Sequence, residues 1–134
     1  MTRNTVRRSG AVVALTAALA VPTVMLAATP AQASGGGGVE ARGTCGAGVT
    51  WKLKAKHDNG RIEVEYEVDS NRVGQLWTVG LTDNNVRVFS GQRRTVAPSG
   101  SFSVRVLATD RSGIDVLRSR ATFGGRVCSG AVSV

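Results

Sequence analysis

Few side chains in this sequence can do chemistry, and their types narrow the options quickly. His57 is the only imidazole in 134 residues, and it stands beside Asp58 ahead of the pair Asn59-Gly60. A Ser/His/Asp site would have to borrow a distant serine, because no serine sits on the Gly-x-Ser-x-Gly turn that exposes a nucleophile. Glu63, Glu65 and Glu67 alternate along one stretch, a spacing at which two carboxylates could flank a glycosidic bond. Each faces a lysine in the pairing derived below, which holds it ionised, whereas a general acid needs a raised pKa. Cys45 and Cys128 lack the Cys/His neighbours of a zinc or iron–sulfur site. The glycines from Gly35 to Gly38 lack the strand and helix that flank a phosphate loop. These residues imply a non-enzymatic protein with no cofactor and no metal. A secreted hydrolase is the contrary reading, and it would need His57 in a cleft.

Guanidinium groups carry the sharper signal. The whole chain has a formal charge of +8, with 17 Lys+Arg against 9 Asp+Glu. From Ser34 onward there are 14 basic and 9 acidic residues, and they are unevenly placed. Residues 34–85 hold 6 basic and 7 acidic, whereas residues 86–134 hold 8 Arg and only 2 Asp. If Arg118 and Arg120 point outward, away from Cys128, and Arg105 on the preceding strand shares that orientation, the three make a small patch that Arg87, Arg93 and Arg94 could extend. Guanidinium forks suit phosphate and carboxylate. The expected ligand is an anionic extracellular polymer, such as a wall teichoic acid or extracellular DNA. Three other readings stand beside it: a basic surface that is merely solvated, an inhibitor-like protein-interaction module using a sheet edge or loops, and a carrier with an internal cavity.

The N-terminus bears on where such a ligand would be met. Arg3, Arg7 and Arg8 precede an apolar, Ala-rich run from Ala11 to Ala28, and Ala31-Gln32-Ala33 is a small-x-small site before Ser34. This reads as a secretory signal, residues 1–33, cleaved after Ala33, with no membrane insertion of the mature chain. Residues 34–38 read as a flexible Ser/Gly tether and 39–134 as one small domain. In an oxidising compartment Cys45 and Cys128 have only each other as intramolecular partners, so a disulfide is expected between them.

Period-two alternation organises the domain. Val49 to Lys56 and Ile62 to Val68 flank Asn59-Gly60, a pair suited to a type I′ hairpin turn. A two-residue loop there opposes Lys56 to Glu63, Lys54 to Glu65 and Lys52 to Glu67 on one face. The other face then sets Ala55 against Val64, Leu53 against Tyr66 and Trp51 against Val68. A second hairpin is expected across Asp83-Asn84, pairing Leu81 with Val86 and Val79 with Val88 and leaving Phe89 on the opposite face beside Thr78. A third is expected around Gly124-Gly125, opposing Ala121 to Cys128 and Leu117 to Val132. About seven strands and no amphipathic helix predict an all-β fold, an antiparallel immunoglobulin-like β-sandwich.

The run from Pro98 to Val104, the turn Asp110-Arg111-Ser112-Gly113 and the alternation through Ala121-Thr122 resemble later strands of bacterial immunoglobulin-like and fibronectin-type modules. Together with the signal segment and the Ala/Gly/Val/Arg usage, the chain resembles small secreted actinobacterial proteins of unknown function. It departs from antibody domains, because Cys45 precedes the first clear strand and Cys128 lies in the last. The resemblance implies a sandwich and carries over no functional residue.

Overall fold

The computed structural model describes residues 37–134, so the expected signal segment and residues 34–36 of the expected tether lie outside the described residues. Eight strands follow one another: β1 (Gly38–Thr44), β2 (Thr50–Asp58), β3 (Arg61–Asp69), β4 (Leu76–Asp83), β5 (Val86–Arg94), β6 (Ser101–Thr109), β7 (Val116–Phe123) and β8 (Arg126–Ser133). They form two four-stranded sheets with antiparallel pairing throughout, in the orders β1-β2-β3-β6 and β5-β4-β7-β8. The fold is an all-β antiparallel sandwich. Among the described residues no helix is long and apolar enough to cross a membrane.

The strand beyond the expected seven is β1. Its inward positions are Val39, Ala41 and Gly43, opposed to Ala55, Leu53 and Trp51, so two of the three are small and its alternation is faint. Gly38, counted with the tether from sequence, opens this strand opposite Lys56.

The β2–β3 ladder has the register derived from the charges: Lys56, Lys54 and Lys52 oppose Glu63, Glu65 and Glu67. Asn59 and Gly60 both take positive φ, 49° and 74°, as a type I′ turn requires. The β7–β8 ladder also pairs as expected, Ala121 with Cys128 and Leu117 with Val132.

The β4–β5 hairpin differs from expectation. Its turn is Asn84-Asn85, with φ 45° and 67°. Asparagine tolerates the left-handed region that both central positions of this turn need, which leaves Asp83 free to enter the ladder. Asp83 pairs with Val86, and a bulge after Leu81 then shifts the register so that Leu81 meets Phe89 and Val79 meets Gly91. The extra residue turns Phe89 to the inner side, where it packs against the core instead of lying beside Thr78 on the outside. Arg93 lies over the Phe89 ring, 4.6 Å from its centroid, and closes that flank.

Inner faces of both sheets supply the core. Leu53, Ile62, Val64, Tyr66 and Val68 from the first sheet meet Trp77, Val79, Leu81 and Leu117 from the second, all essentially without solvent exposure. Trp77 contacts Phe102 and Phe123 at centroid distances of 6.2 and 5.4 Å. The Tyr66 hydroxyl crosses between the sheets and donates to the Cys128 carbonyl oxygen at 3.0 Å, and burial pushes its phenol pKa up. Cys45 and Cys128 are bonded, Cα to Cα 5.1 Å, across 83 residues of chain. In the chain-entropy model closure of such a loop stabilises by about 4–5 kcal/mol.

Next to the disulfide, Trp51 fills the gap between β1 and β8, and its ring needs glycine on both sides. A Cβ on Gly130 would lie 2.2 Å from Trp51 Cζ3, and one on Gly43 would lie 2.9 Å from Cζ2. Gly130→Ala is therefore expected to displace the indole and to lower stability by about 1–3 kcal/mol in chemical denaturation. Gly80→Ala serves as its control, because the added Cβ would have its nearest neighbour at 3.9 Å. That variant should match or exceed the parent midpoint.

Candidate functional site

Sheet membership decides which arginines can act together. Arg105 lies on β6 of the first sheet, opposite Glu65 in the β3 ladder. It reaches Glu65 at 3.3 Å and Glu63 at 3.8 Å. Arg118 and Arg120 lie on β7 of the second sheet. The outward faces of the two sheets point in opposite directions, so Arg105 does not share a patch with Arg118 and Arg120. The expectation treated consecutive strands as neighbours, but the chain crosses between sheets from β6 to β7, and β6 pairs with β3.

The other arginines also separate. Arg93 turns inward onto Phe89. Arg94 shares the outward face, and its Nη1 donates to the Gly74 carbonyl oxygen at 2.7 Å. Arg87 stands opposite Thr82 on that same face.

The ladders lay out this outer surface in rows. One runs Arg87, Thr82, Arg118, Ala131; the next runs Ser90, Gly80, Arg120, Ser129; a third runs Gln92, Thr78, Thr122, Val127. Arg118 and Arg120 form an exposed ridge along β7, with small or hydroxylated residues on both sides. A shallow, open depression of about 600 Å³ is lined by Gly80, Thr82, Arg118, Ser119, Arg120, Ser129, Gly130 and Ala131. The only charged outward positions on the four strands are Arg87, Arg94, Arg118 and Arg120. No carboxylate stands among them.

Charge on the first sheet is arranged in the opposite way. Its outward positions carry Arg42, Lys52, Lys54, Lys56, Arg61 and Arg105 against Glu40, Asp58, Glu63, Glu65, Glu67 and Asp69. Lys52 meets Glu67 at 3.3 Å, Lys56 meets Glu63 at 3.2 Å, and Lys54 meets Glu40 at 3.7 Å. A hydrogen bond from Arg42 holds the Glu40 carboxyl below its ordinary pKa, against a smaller opposing effect of burial. Among the described residues, Arg87, Arg118 and Arg120 make no ion pair.

The remaining candidates are placed elsewhere. His57 is the penultimate residue of β2, where it is exposed and its Nδ1 lies 3.0 Å from Asp110 Oδ2. Among the described residues no serine hydroxyl hydrogen-bonds to it, and no cluster of three His, Cys, Asp or Glu is spaced to hold a metal. Gly80 and Thr82, which floor the depression, had no place in the sequence reading. The one available signal was a glycine inside a strand, which often marks close approach of another group.

A buried acidic group lies at the inner end of β4. Asp83 is fully buried, its Oδ2 pairs with Arg111 Nη1, and among the described residues its Oδ1 has no partner. The nearby Asp115 accepts from Asn84 Nδ2 at 2.8 Å and from the Arg111 backbone N–H at 3.0 Å. Burial, and next the Asp115 charge, push the Asp83 pKa above its ordinary 3.8 despite the opposing guanidinium. Compared with family models, with curated proteins and with solved structures, the chain finds no match.

The raised pKa of Asp83 makes stability depend on pH with a definite sign. Between the ordinary value near 3.8 and the higher folded-state value, the folded protein holds a proton that the unfolded chain has released. Stability contributed by this group is full below that window and falls as pH rises through it. Urea midpoints of Asp83→Asn, measured from about pH 4 to neutrality, should therefore decline less with rising pH than those of the parent.

Proposed function

We propose that this protein is a secreted, non-enzymatic binding module that takes an anionic polymer on the outer face of its second sheet. One observation carries the reading. The chain pairs Arg42, Lys52, Lys54, Lys56 and Arg105 of the first sheet with carboxylates, and among the described residues it leaves Arg87, Arg118 and Arg120 together without one. Guanidinium groups fixed on a β-sheet offer forked donors to phosphate or carboxylate oxygens, and a polymer can engage several at once. Secretion is supported by the basic, apolar and small-x-small segments of residues 1–33 and by a disulfide of the kind that persists in oxidising compartments. Immunoglobulin-like kinship and an actinobacterial source belong to the same proposal, and they rest on the resemblance alone.

A second reading has one observation in its favour. Val73 and Val96 flank the Gly74–Thr95 hydrogen bond at one end of the sandwich, and they are 59% and 57% exposed. Such an apolar loop end suits a protein partner.

Binding of the oxidised protein to a soluble polyanion across a salt series tests the first reading. Three guanidinium contacts predict a slope of log K against log salt of about −2, by analogy with single-stranded polyphosphates. Arg118→Gln/Arg120→Gln should bring the slope to about −0.7. Unchanged affinity and slope in that variant would refute the site. Intact-mass analysis of the exported protein should give a chain beginning at Ser34.

A further inference from the structure

We propose that the polymer is a slender phosphodiester chain with no aromatic base, a poly(polyol phosphate), and not a nucleic acid; this rests on the anion-binding reading above. Spacing is the first argument. Arg118 and Arg120 are two residues apart on one strand, which puts their Cα atoms about 7 Å apart. A glycerol phosphate repeat has six backbone bonds between phosphorus atoms, and when extended it also spans about 7 Å. Consecutive phosphates can thus meet consecutive guanidinium groups.

Shape is the second argument. The depression reaches both sides of the Arg118/Arg120 ridge, over Gly80 and Thr82 on one and over Ser129 and Ala131 on the other. Only the Gly80/Thr82 side has a further cation beyond it: Arg87 stands opposite Thr82 on β5, about 10 Å from the β7 backbone. Gly80 contributes no side chain to the floor, so a thin chain can lie along β4 between Arg87 and the ridge. Thr78, Thr82 and Ser90 present hydroxyls there, which match the free hydroxyls of a polyol.

Aromatic placement is the third argument, and it separates the two kinds of phosphodiester. Proteins that bind single-stranded nucleic acid combine a basic groove with exposed rings on which bases stack. All six aromatic side chains of this protein serve the interior. Tyr66, Trp77 and Phe102 are buried, and Trp51, Phe89 and Phe123 pack against the same core. None stands outward on the second sheet.

Competition between two fluorescent polymers of equal phosphate count, an oligo(glycerol phosphate) and an oligothymidylate, tests the proposal on the full oxidised protein. The glycerol polymer should bind about tenfold tighter. Gly80→Val fills the depression where a Cβ has room, so it should weaken that binding about tenfold while the unfolding midpoint holds. Gly80→Tyr adds a ring to the floor and should shift preference toward oligothymidylate. Equal affinity for the two polymers, or tighter binding of oligothymidylate by the parent protein, overturns this inference and leaves the anion-binding reading standing. No binding of either polymer removes both.

Discussion

Strand register is the constraint on which the rest of this structure depends. Each strand alternates sides with every residue, so burial of one set of side chains dictates what the other set shows to solvent. A one-residue slip of β2 against β3 would turn Lys52, Lys54 and Lys56 toward Leu53's side of the sheet, into a core that holds Tyr66 and Val68 at no exposure. Burying unpaired ammonium groups costs far more than the few tenths of a kcal/mol that each exposed Lys–Glu pair contributes. Apolar burial therefore selects the register, and the charge ladder reinforces it.

The same constraint sorts charge between the two outer faces. On the first sheet, alternation sets cations opposite carboxylates and the surface is balanced. On the second, alternation sets Arg87, Arg118 and Arg120 outward and sends the one nearby acid of the ladder, Asp83, into the interior. Repulsion between neighbouring guanidinium groups about 7 Å apart in water is only about 0.6 kcal/mol. A sandwich closed by a disulfide, a Tyr66–Cys128 hydrogen bond and an interlocked Trp51 tolerates that cost. An external polyanion would offset that repulsion.

Much of this was legible in the residues, and the limits have physical causes. The β2–β3 and β7–β8 registers follow from turn pairs containing glycine and from opposed charges or apolar residues, all of them local signals. The β4–β5 hairpin misled because Asp83-Asn84 and Asn84-Asn85 are both plausible turns; the choice lies with the burial of Asp83, which is a tertiary matter. Strand β1 was missed because Gly43 lacks the side chain that would have completed its alternation. The split between Arg105 and the Arg118/Arg120 pair depends on β6 joining β3, a non-local pairing that no short stretch encodes. For the same reason the depression over Gly80 was invisible, since Gly80 and the ridge lie on strands separated by more than 20 residues in sequence.

The proposed function resides on the outer face of the second sheet, where Arg87, Arg118 and Arg120 stand without carboxylates. The most direct measurement is a backbone amide chemical-shift titration of the oxidised protein with oligo(glycerol phosphate). Perturbations are expected in β4, β5 and β7 around Gly80, Thr82, Arg87, Arg118 and Arg120, with the β2–β3 ladder silent. Perturbations centred on the Lys/Glu face of the first sheet, or on the loop end around Val73 and Val96, would contradict that placement.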